Sequence, residues 1–299
     1  MATRKWTIQE LLKVSADYLR QKGVDNPRLG AEVLLARHLK VDRVRLYLEF
    51  EKPLQEEELA GYRSLIRRRA AREPLQYITG TQGFWSTELV VRPGVLIPRP
   101  ETELLVEQTL EIVRRDDSET VAPCILDLGT GSGALIVALG REIENARLFA
   151  SDISPEALTV ARENATRLGL SQRVEFLHGD LLEPVKEKGL RFHLIVTNPP
   201  YVASEEMATL MPEVRHEPVL ALDGGPGGMA YLERIIREAP DCLEPGGWLL
   251  IEMDPRQVAA ALRLVDEGGR YGERRAVKDY SRRDRVIVAR RAAHGFQGN

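Results

Sequence analysis

Apolar positions recur at helical spacing over the first quarter of the chain and at strand spacing afterwards. Thr7 and Glu10 have the spacing of a capping box, in which each side chain satisfies the other's orphan N–H at a helix start. Leu11, Leu12, Val14, Tyr18 and Leu19 then fall on one helical face. Pro27 suits the first turn of a second helix, with Leu29, Val33, Leu34, Leu35 and Leu39 on one stripe. A third helix is expected from about Gln55 to Ala71, closing on Arg67, Arg68 and Arg69 and then Arg72, whose charges complement the helix dipole. Residues 1–74 thus read as a small helical bundle without a catalytic constellation. Over 75–99, Gln76-Tyr77-Ile78-Thr79-Gly80 is followed by two β-type runs, Glu88-Leu89-Val90-Val91 and Val95-Leu96-Ile97. The Pro93-Gly94 turn between those runs predicts a linking β-hairpin. A helix opens at Pro100 and runs through Arg114.

Beyond residue 120 strands and helices alternate. Strands are expected over 122–128, 147–152, 173–178, 191–197 and 247–253, and helices over 133–143, 155–168, 229–240 and 256–267. This pattern predicts an α/β catalytic domain over 100–291, a parallel sheet with helices on both faces. Two last strands, 270–278 and 284–290, suit an antiparallel edge hairpin, and the tail 292–299 is expected to be disordered.

Composition changes this picture little. The 299 residues carry a formal charge of −3, so no global basic field points to nucleic acid. Residues 1–90 hold 16 Lys/Arg against 12 Asp/Glu, and residues 91–299 hold 26 against 33. The basic N-terminal part suits either a solvated helical surface or an acidic or RNA-bound partner. Cys124 and Cys242 form neither a metal-ligand spacing nor a disulfide framework, and His178, His193 and His216 show no metal spacing, so no metal is expected. No apolar run reaches membrane-spanning length and the N-terminus has no apolar signal core. A cytoplasmic protein is expected, and a monomer, since no coiled coil is apparent.

The candidate chemistry lies at strand ends. Asn198-Pro199-Pro200-Tyr201 follows the apolar run His193-Leu194-Ile195-Val196-Thr197. Proline has no N–H, so Pro199 and Pro200 stiffen the turn and offer only acceptors. The Asn198 side-chain oxygen beside the Pro199 backbone carbonyl suits the two N–H donors of a planar NH2 group, and the Tyr201 ring suits stacking on it. Such a tetrad is the signature of methyltransferases acting on planar nitrogens; a proline-stiffened turn with a capping asparagine is the plain alternative. Asp127-Leu128-Gly129-Thr130-Gly131-Ser132-Gly133 follows the first parallel strand. Its glycines allow close backbone approach to a ligand. The spacing is not the dinucleotide fingerprint, and no Lys-Ser/Thr follows as in a P-loop. Asp127 suits an ammonium group, Asp152 at the next strand end suits ribose hydroxyls, and Asp180 with Leu181 suits an adenine ring and its amino group. Taken singly, each acid reads equally as a helix cap. Together with Asn198 they imply S-adenosylmethionine, leaving as S-adenosylhomocysteine.

With these residues in place, the chain resembles the PrmC/HemK family, the glutamine-N(5) methyltransferases of peptide chain release factors. The most specific stretch is Pro98-Arg99-Pro100-Glu101-Thr102-Glu103 joined to a small N-terminal bundle; Glu217-Pro218, Ala221-Leu222 and Asp284-Arg285-Val286 also match. The chain departs from the family pattern at Glu252-Met253-Asp254, where a Glu-Ile-Gly stretch is common, and at Arg283, where a glycine is common. The resemblance implies a Rossmann-like methyltransferase sheet. It also implies a substrate, the glutamine of the Gly-Gly-Gln loop in class 1 release factors, with the bundle facing that partner. Arg99 and Glu101 would then lie near the mouth of the site or form a helix-start salt bridge. A rival reading keeps the chemistry but acts on adenine or guanine amino groups of nucleic acid. Against it stand the acidic catalytic part and the mere 98 residues after Tyr201 for a target-reading region, so no stable nucleic-acid binding is expected. A second rival, a cofactor-binding regulator without catalysis, sits poorly with the intact tetrad.

Overall fold

Thr7 and Glu10 cap the first helix, α1 (Ile8–Gln21), as their spacing requires: the Glu10 N–H donates to Thr7 Oγ1 at 3.3 Å and the Thr7 N–H to Glu10 Oε2 at 3.2 Å. The structure, a computed structural model, describes residues 6–115 and 122–293; the tail expected to be disordered lies, from residue 294, outside the described residues. The chain divides into two compact units, Met1–Thr81 with Met211–His216, and Gln82–Leu210 with Glu217–Asn299.

The first unit adds α2 (Pro27–Leu39), α3 (Arg43–Leu48), α4 (Glu56–Ala70) and α5 (Leu75–Thr79). Its core is built on Leu12, Leu19, Leu34, Leu35 and Tyr62, and the Tyr62 hydroxyl donates to the Ala31 carbonyl at 3.1 Å. Helices α3 and α5 were not expected; six and five residues are too short to show a helical period. The basic run at the end of α4 is largely ion-paired. Arg68 binds Glu73 at 2.5 Å, and Arg69 and Arg72 converge on Glu213 at 2.9 and 2.6 Å. Glu213 holds Arg72 above its usual pKa, and these charges stabilise the unit instead of standing free for phosphates.

The second unit opens with a two-stranded sheet, β1 (Thr81–Phe84) and β2 (Thr87–Val90). A hairpin is present, but one turn earlier than the sequence suggests, and residues 95–97 form no strand. The turn is Trp85-Ser86, with φ of 43° and 56°, a left-handed pair normally signalled by Asn-Gly. Trp85 is held there by its backbone N–H to Glu103 Oε1 (3.0 Å) and its indole N–H to Glu142 Oε1 (2.8 Å).

A single 3-10 turn, Pro100–Thr102, leads into α6 (Glu103–Arg115). There follow β3 (Cys124–Leu128), α7 (Ala134–Glu142), β4 (Arg147–Asp152), α8 (Pro155–Arg167), β5 (Val174–His178), α9 (Glu183–Glu187), β6 (Phe192–Thr197), α10 (Ala230–Cys242), β7 (Leu243–Glu252), α11 (Val258–Glu267), β8 (Tyr271–Lys278) and β9 (Asp284–Arg291). They form a seven-stranded sheet of order β5-β4-β3-β6-β7-β9-β8. Strands β3 to β7 are parallel, and β9 runs antiparallel to both β7 and β8. The α/β expectation and the antiparallel edge pair are both present. Alternate residues face opposite cores: Ile125, Leu194 and Leu250 join α6 and α7 on one face, whereas Leu126, Ile195 and Leu249 join α10 and α11 on the other. Burial on both faces makes these strands continuous apolar runs. Among the described residues no helix is long and apolar enough to cross a membrane.

Two features of the sheet position the site. Strand order reverses between β3 and β6, and in open α/β sheets ligands bind at the carboxyl ends of the strands at such a switch point. The register also aligns four strand ends. Leu128 pairs with Ser151 on one side and Thr197 on the other, and Thr197 pairs with Ile251. Asp152, Asn198 and Glu252 therefore leave or end their strands at one level.

Candidate active site

A cavity of about 390 Å³ opens at this edge, lined by Asp127, Gly129–Ser132, Asp152, Asp180, Leu181, Asn198 and Pro200. All of these were candidates from the sequence. Gly133 and Pro199 are not on the wall, and neither is Tyr201, expected to stack on the substrate. Its ring packs on the core beneath the loop, because its hydroxyl finds a buried partner, Glu252 Oε1, at 3.2 Å. The wall also includes residues that sequence reasoning did not propose: Gly94, Ile153, Pro218, Val219, Leu220 and Tyr231. Val219 and Leu220 are exposed apolar residues (61% and 48%) beside the Glu217-Pro218 stretch. That exposure belongs to the folded chain, so the sequence carried no signal for the pair beyond the neighbouring Glu217-Pro218.

Asp127 is fully enclosed. Its Oδ2 accepts from the Thr130 hydroxyl at 2.6 Å and the Ile136 N–H at 3.2 Å, while Oδ1 has no hydrogen-bond partner. Burial pushes its pKa up to about 7, against the pull of those two hydrogen bonds. A buried carboxylate oxygen without a donor, on a cavity wall, fits a cationic group of a ligand. Asp152 accepts from the Gly131 N–H at 2.8 Å and the Ser154 N–H at 2.9 Å, which ties the glycine loop to the end of β4. Burial raises its pKa and these backbone donors oppose the rise. Asp180 binds Arg234 at 2.7 Å, and Leu181 beside it sits at φ 43°, a left-handed conformation costly for leucine. The loop is braced from behind by buried Asn164, whose Nδ2 donates to the Ser132 carbonyl at 2.9 Å and the Val90 carbonyl at 3.0 Å.

Asn198 lines the cavity and is positioned by Thr102: its Nδ2 donates to Thr102 Oγ1 at 3.0 Å, which leaves Oδ1 as its acceptor. Arg99 pairs with no residue of the helix start; it follows Pro98, a residue of the cavity wall. It binds buried Glu217 at 2.5 Å, and Glu217 also accepts from the Ile97 N–H at 2.9 Å. This strut fixes the chain that precedes Pro218.

Residues 10–80 match the PrmC N-terminal domain, and residues 102–217 match the methyltransferase small domain. Over 286 residues the chain is 44% identical to the release factor glutamine methyltransferase of Geobacter sulfurreducens, covering 95% of this chain and 97% of that one. It is 42% identical over 285 residues to the protein of the same name from Moorella thermoacetica, covering 95% and 99%. The chain belongs to the release factor glutamine methyltransferase family. The crystal structure of the hMettl16 catalytic domain in complex with MAT2A 3′UTR hairpin 6 shares the fold alone: TM-score 0.57 and 14% identity over 75% of this chain and 81% of that one. The resemblance read from the Pro98–Glu103 stretch and the tetrad thus holds over nearly the full length of the family's proteins.

The glycines of the family's loop divide by what surrounds them. A Cβ at Gly129 or Gly131 would point into open space, whereas one at Gly133 would lie 3.1 Å from Cα and Cβ of Ala161 on α8. All three have positive φ, so alanine at any of them costs roughly 1 kcal/mol of backbone strain. Gly133→Ala adds a clash with a helix backbone and is expected to lower Tm at least twice as far as Gly131→Ala. Gly131→Ala is expected to weaken cofactor binding instead. Thermal melts and calorimetric titration of both variants separate the two effects; equal Tm losses would contradict this division.

Proposed function

We propose that the chain transfers a methyl group from S-adenosylmethionine to the side-chain amide nitrogen of the glutamine in the Gly-Gly-Gln motif of class 1 release factors. The observation that carries this reading is one cavity whose wall holds both an amide acceptor, Asn198, and a set suited to the cofactor: Asp127, Asp152, Asp180 and the open glycine loop. Family membership supplies the substrate class. When bound, S-adenosylmethionine supplies an electrophilic methyl group. In this reading Asp127 Oδ1 accepts from the cofactor's ammonium, Asp152 takes ribose hydroxyls, and Asp180 with Leu181 holds the adenine.

An amide nitrogen is a poor nucleophile because its lone pair is delocalised. Asn198 Oδ1 accepts one substrate N–H, which orients that nitrogen and stabilises the positive charge that grows on it. Pro200 forms wall beside it, and Tyr201 holds the loop from below. The proton leaves to solvent once the nitrogen has become positive. The same reading takes the bundle, 1–74, as the part that meets the release factor, 75–99 as linker and 100–291 as the catalytic part. It treats the chain as a cytoplasmic monomer acting in translation termination.

Methyl-labelled S-adenosylmethionine, offered with a release factor, duplex DNA or ribosomal RNA in separate reactions, tests the assignment. Label is expected on the release factor alone and maps to the glutamine of Gly-Gly-Gln by peptide mass spectrometry. Label on nucleic acid alone would overturn the substrate.

A further inference from the structure

Glu252 stands out as the buried carboxylate that the transfer as described does not use. It is wholly enclosed at the end of β7, one residue past the pairing of Thr197 with Ile251, and so at the level of Asn198. It is off the cavity wall. Its Oε1 accepts the Tyr201 hydroxyl, and the Thr102 hydroxyl also faces its carboxylate and favours the ionised form. Oε2 has no hydrogen-bond partner of ordinary geometry. Thr102 is the same residue whose Oγ1 accepts from Asn198 Nδ2. Both ends of the Asn198–Tyr201 tetrad therefore lead to Glu252.

We infer that Glu252 is a positioning residue, which rests on the function proposed above: acting through Thr102, its carboxylate fixes which end of the Asn198 amide faces the cavity. The side-chain amide of Asn198 has two orientations of nearly the same shape and opposite chemistry. With the oxygen at the cavity it accepts from a substrate amide; with the NH2 there, donor meets donor and the substrate is rejected. Thr102 has one hydroxyl proton. When that proton points at an ionised carboxylate, which only accepts, the Thr102 oxygen is left to accept from Asn198 Nδ2, and Asn198 Oδ1 turns to the cavity. When Glu252 is protonated, its own proton can go to Thr102. The Thr102 proton then points at Asn198, whose oxygen turns to accept it, so the preference reverses and the NH2 faces the cavity.

The ionised form is finely balanced. Arg285 on β9 favours it, as do the Tyr201 and Thr102 hydroxyls; burial opposes it most strongly, and Glu101 in the turn before α6 opposes it too. Burial places the Glu252 pKa at about 7, so the orientation of Asn198 is expected to titrate near neutral pH.

The test uses the full chain, a release factor and labelled S-adenosylmethionine at saturating cofactor, so that titration of Asp127 does not contribute. In the wild type, kcat is expected to rise about tenfold per pH unit below 7 and then level. Glu252→Gln places a donor against Thr102. It is expected to lower kcat roughly 100-fold, to abolish the acidic limb, and to change cofactor affinity less than about twofold. Thr102→Val removes the relay and is expected to abolish the acidic limb as well, and Thr102→Ser to restore it, which keeps the test decisive should Glu252→Gln fold poorly. The Glu252→Gln/Thr102→Val double variant is expected to be no slower than either single one. An unchanged kcat in Glu252→Gln, an acidic limb that survives it, or no rescue by serine would each overturn the inference. If the wild type labels no release factor, the proposed function fails separately. Amide NMR of Asn198 then still decides the inference: its Nδ2 protons are expected to be protected in the wild type at pH 8 and to lose protection in Glu252→Gln. Equal protection in both would overturn it.

Discussion

Alanine at Asn198 is expected to lower methyl transfer to the release factor roughly 1000-fold while moving cofactor affinity less than about threefold. The asymmetry follows from what Asn198 touches. Its Nδ2 is engaged with Thr102, and in the proposed function its Oδ1 is the acceptor for the substrate amide. The acids proposed to hold the cofactor lie on other strand ends and keep their own supports: Asp152 on the Gly131 and Ser154 N–H groups, and Asp127 on Thr130 and Ile136. Removing the asparagine deprives the reacting nitrogen of an acceptor at the moment it becomes positive, which affects kcat far more than binding. Single-turnover transfer measured beside calorimetric titration of the cofactor checks both halves. Transfer at the wild-type rate would remove Asn198 from the chemistry.

Asp127→Asn is expected to weaken cofactor binding at pH 8 by roughly 30- to 100-fold. That factor corresponds to the about 2–3 kcal/mol typical of a lost hydrogen bond to a charged group. The asparagine oxygen can still accept from Thr130 and Ile136, so the loop keeps its shape and the loss is one of charge. In the free protein burial holds the Asp127 carboxyl at about 7. Only the ionised form pairs with an ammonium, so wild-type affinity is expected to fall about tenfold per pH unit as pH drops below 7. In the variant it is expected to stay flat. Stability moves the other way. The folded pKa lies above the unfolded value of 3.8, so the native state binds this proton more tightly than the unfolded chain does. The wild type therefore loses stability as pH rises from about 4 to 7, and the variant is spared that loss. Titrations and melts across this range read both trends; equal affinity of the two proteins at pH 8 would place the ammonium elsewhere.

The strands were legible because their burial is two-sided. Ile125-Leu126 and Leu194-Ile195 each send one side chain into each core, so the run is apolar throughout and its ends can be found within a residue or two. Legibility failed where pairing overrode local signals. The hairpin turn at Trp85-Ser86 carries no Asn-Gly signature, and its left-handed backbone is held by Glu103 and Glu142 from distant helices. Strand β7 starts at Leu243, ahead of the expected 247, through Pro245 and two glycines, across a register shift opposite Phe192 and Leu194. The Arg99 strut to Glu217 spans 118 residues and left no local trace.

For the site, local sequence determined the parts. It gave the stiff tetrad after β6, the glycine loop after β3 and an acid at each of three strand ends, because strand, turn and residue type are short-range properties. Tertiary structure decided how they act. The register of β3, β4, β6 and β7 sets Asp152, Asn198 and Glu252 at one level, turns Tyr201 away from the cavity, and brings Thr102 under the Asn198 amide. Those pairings join residues 51 and 96 positions apart. The direction of a hydrogen bond between such residues depends on which donors and acceptors burial leaves together, and no periodicity in the chain encodes that.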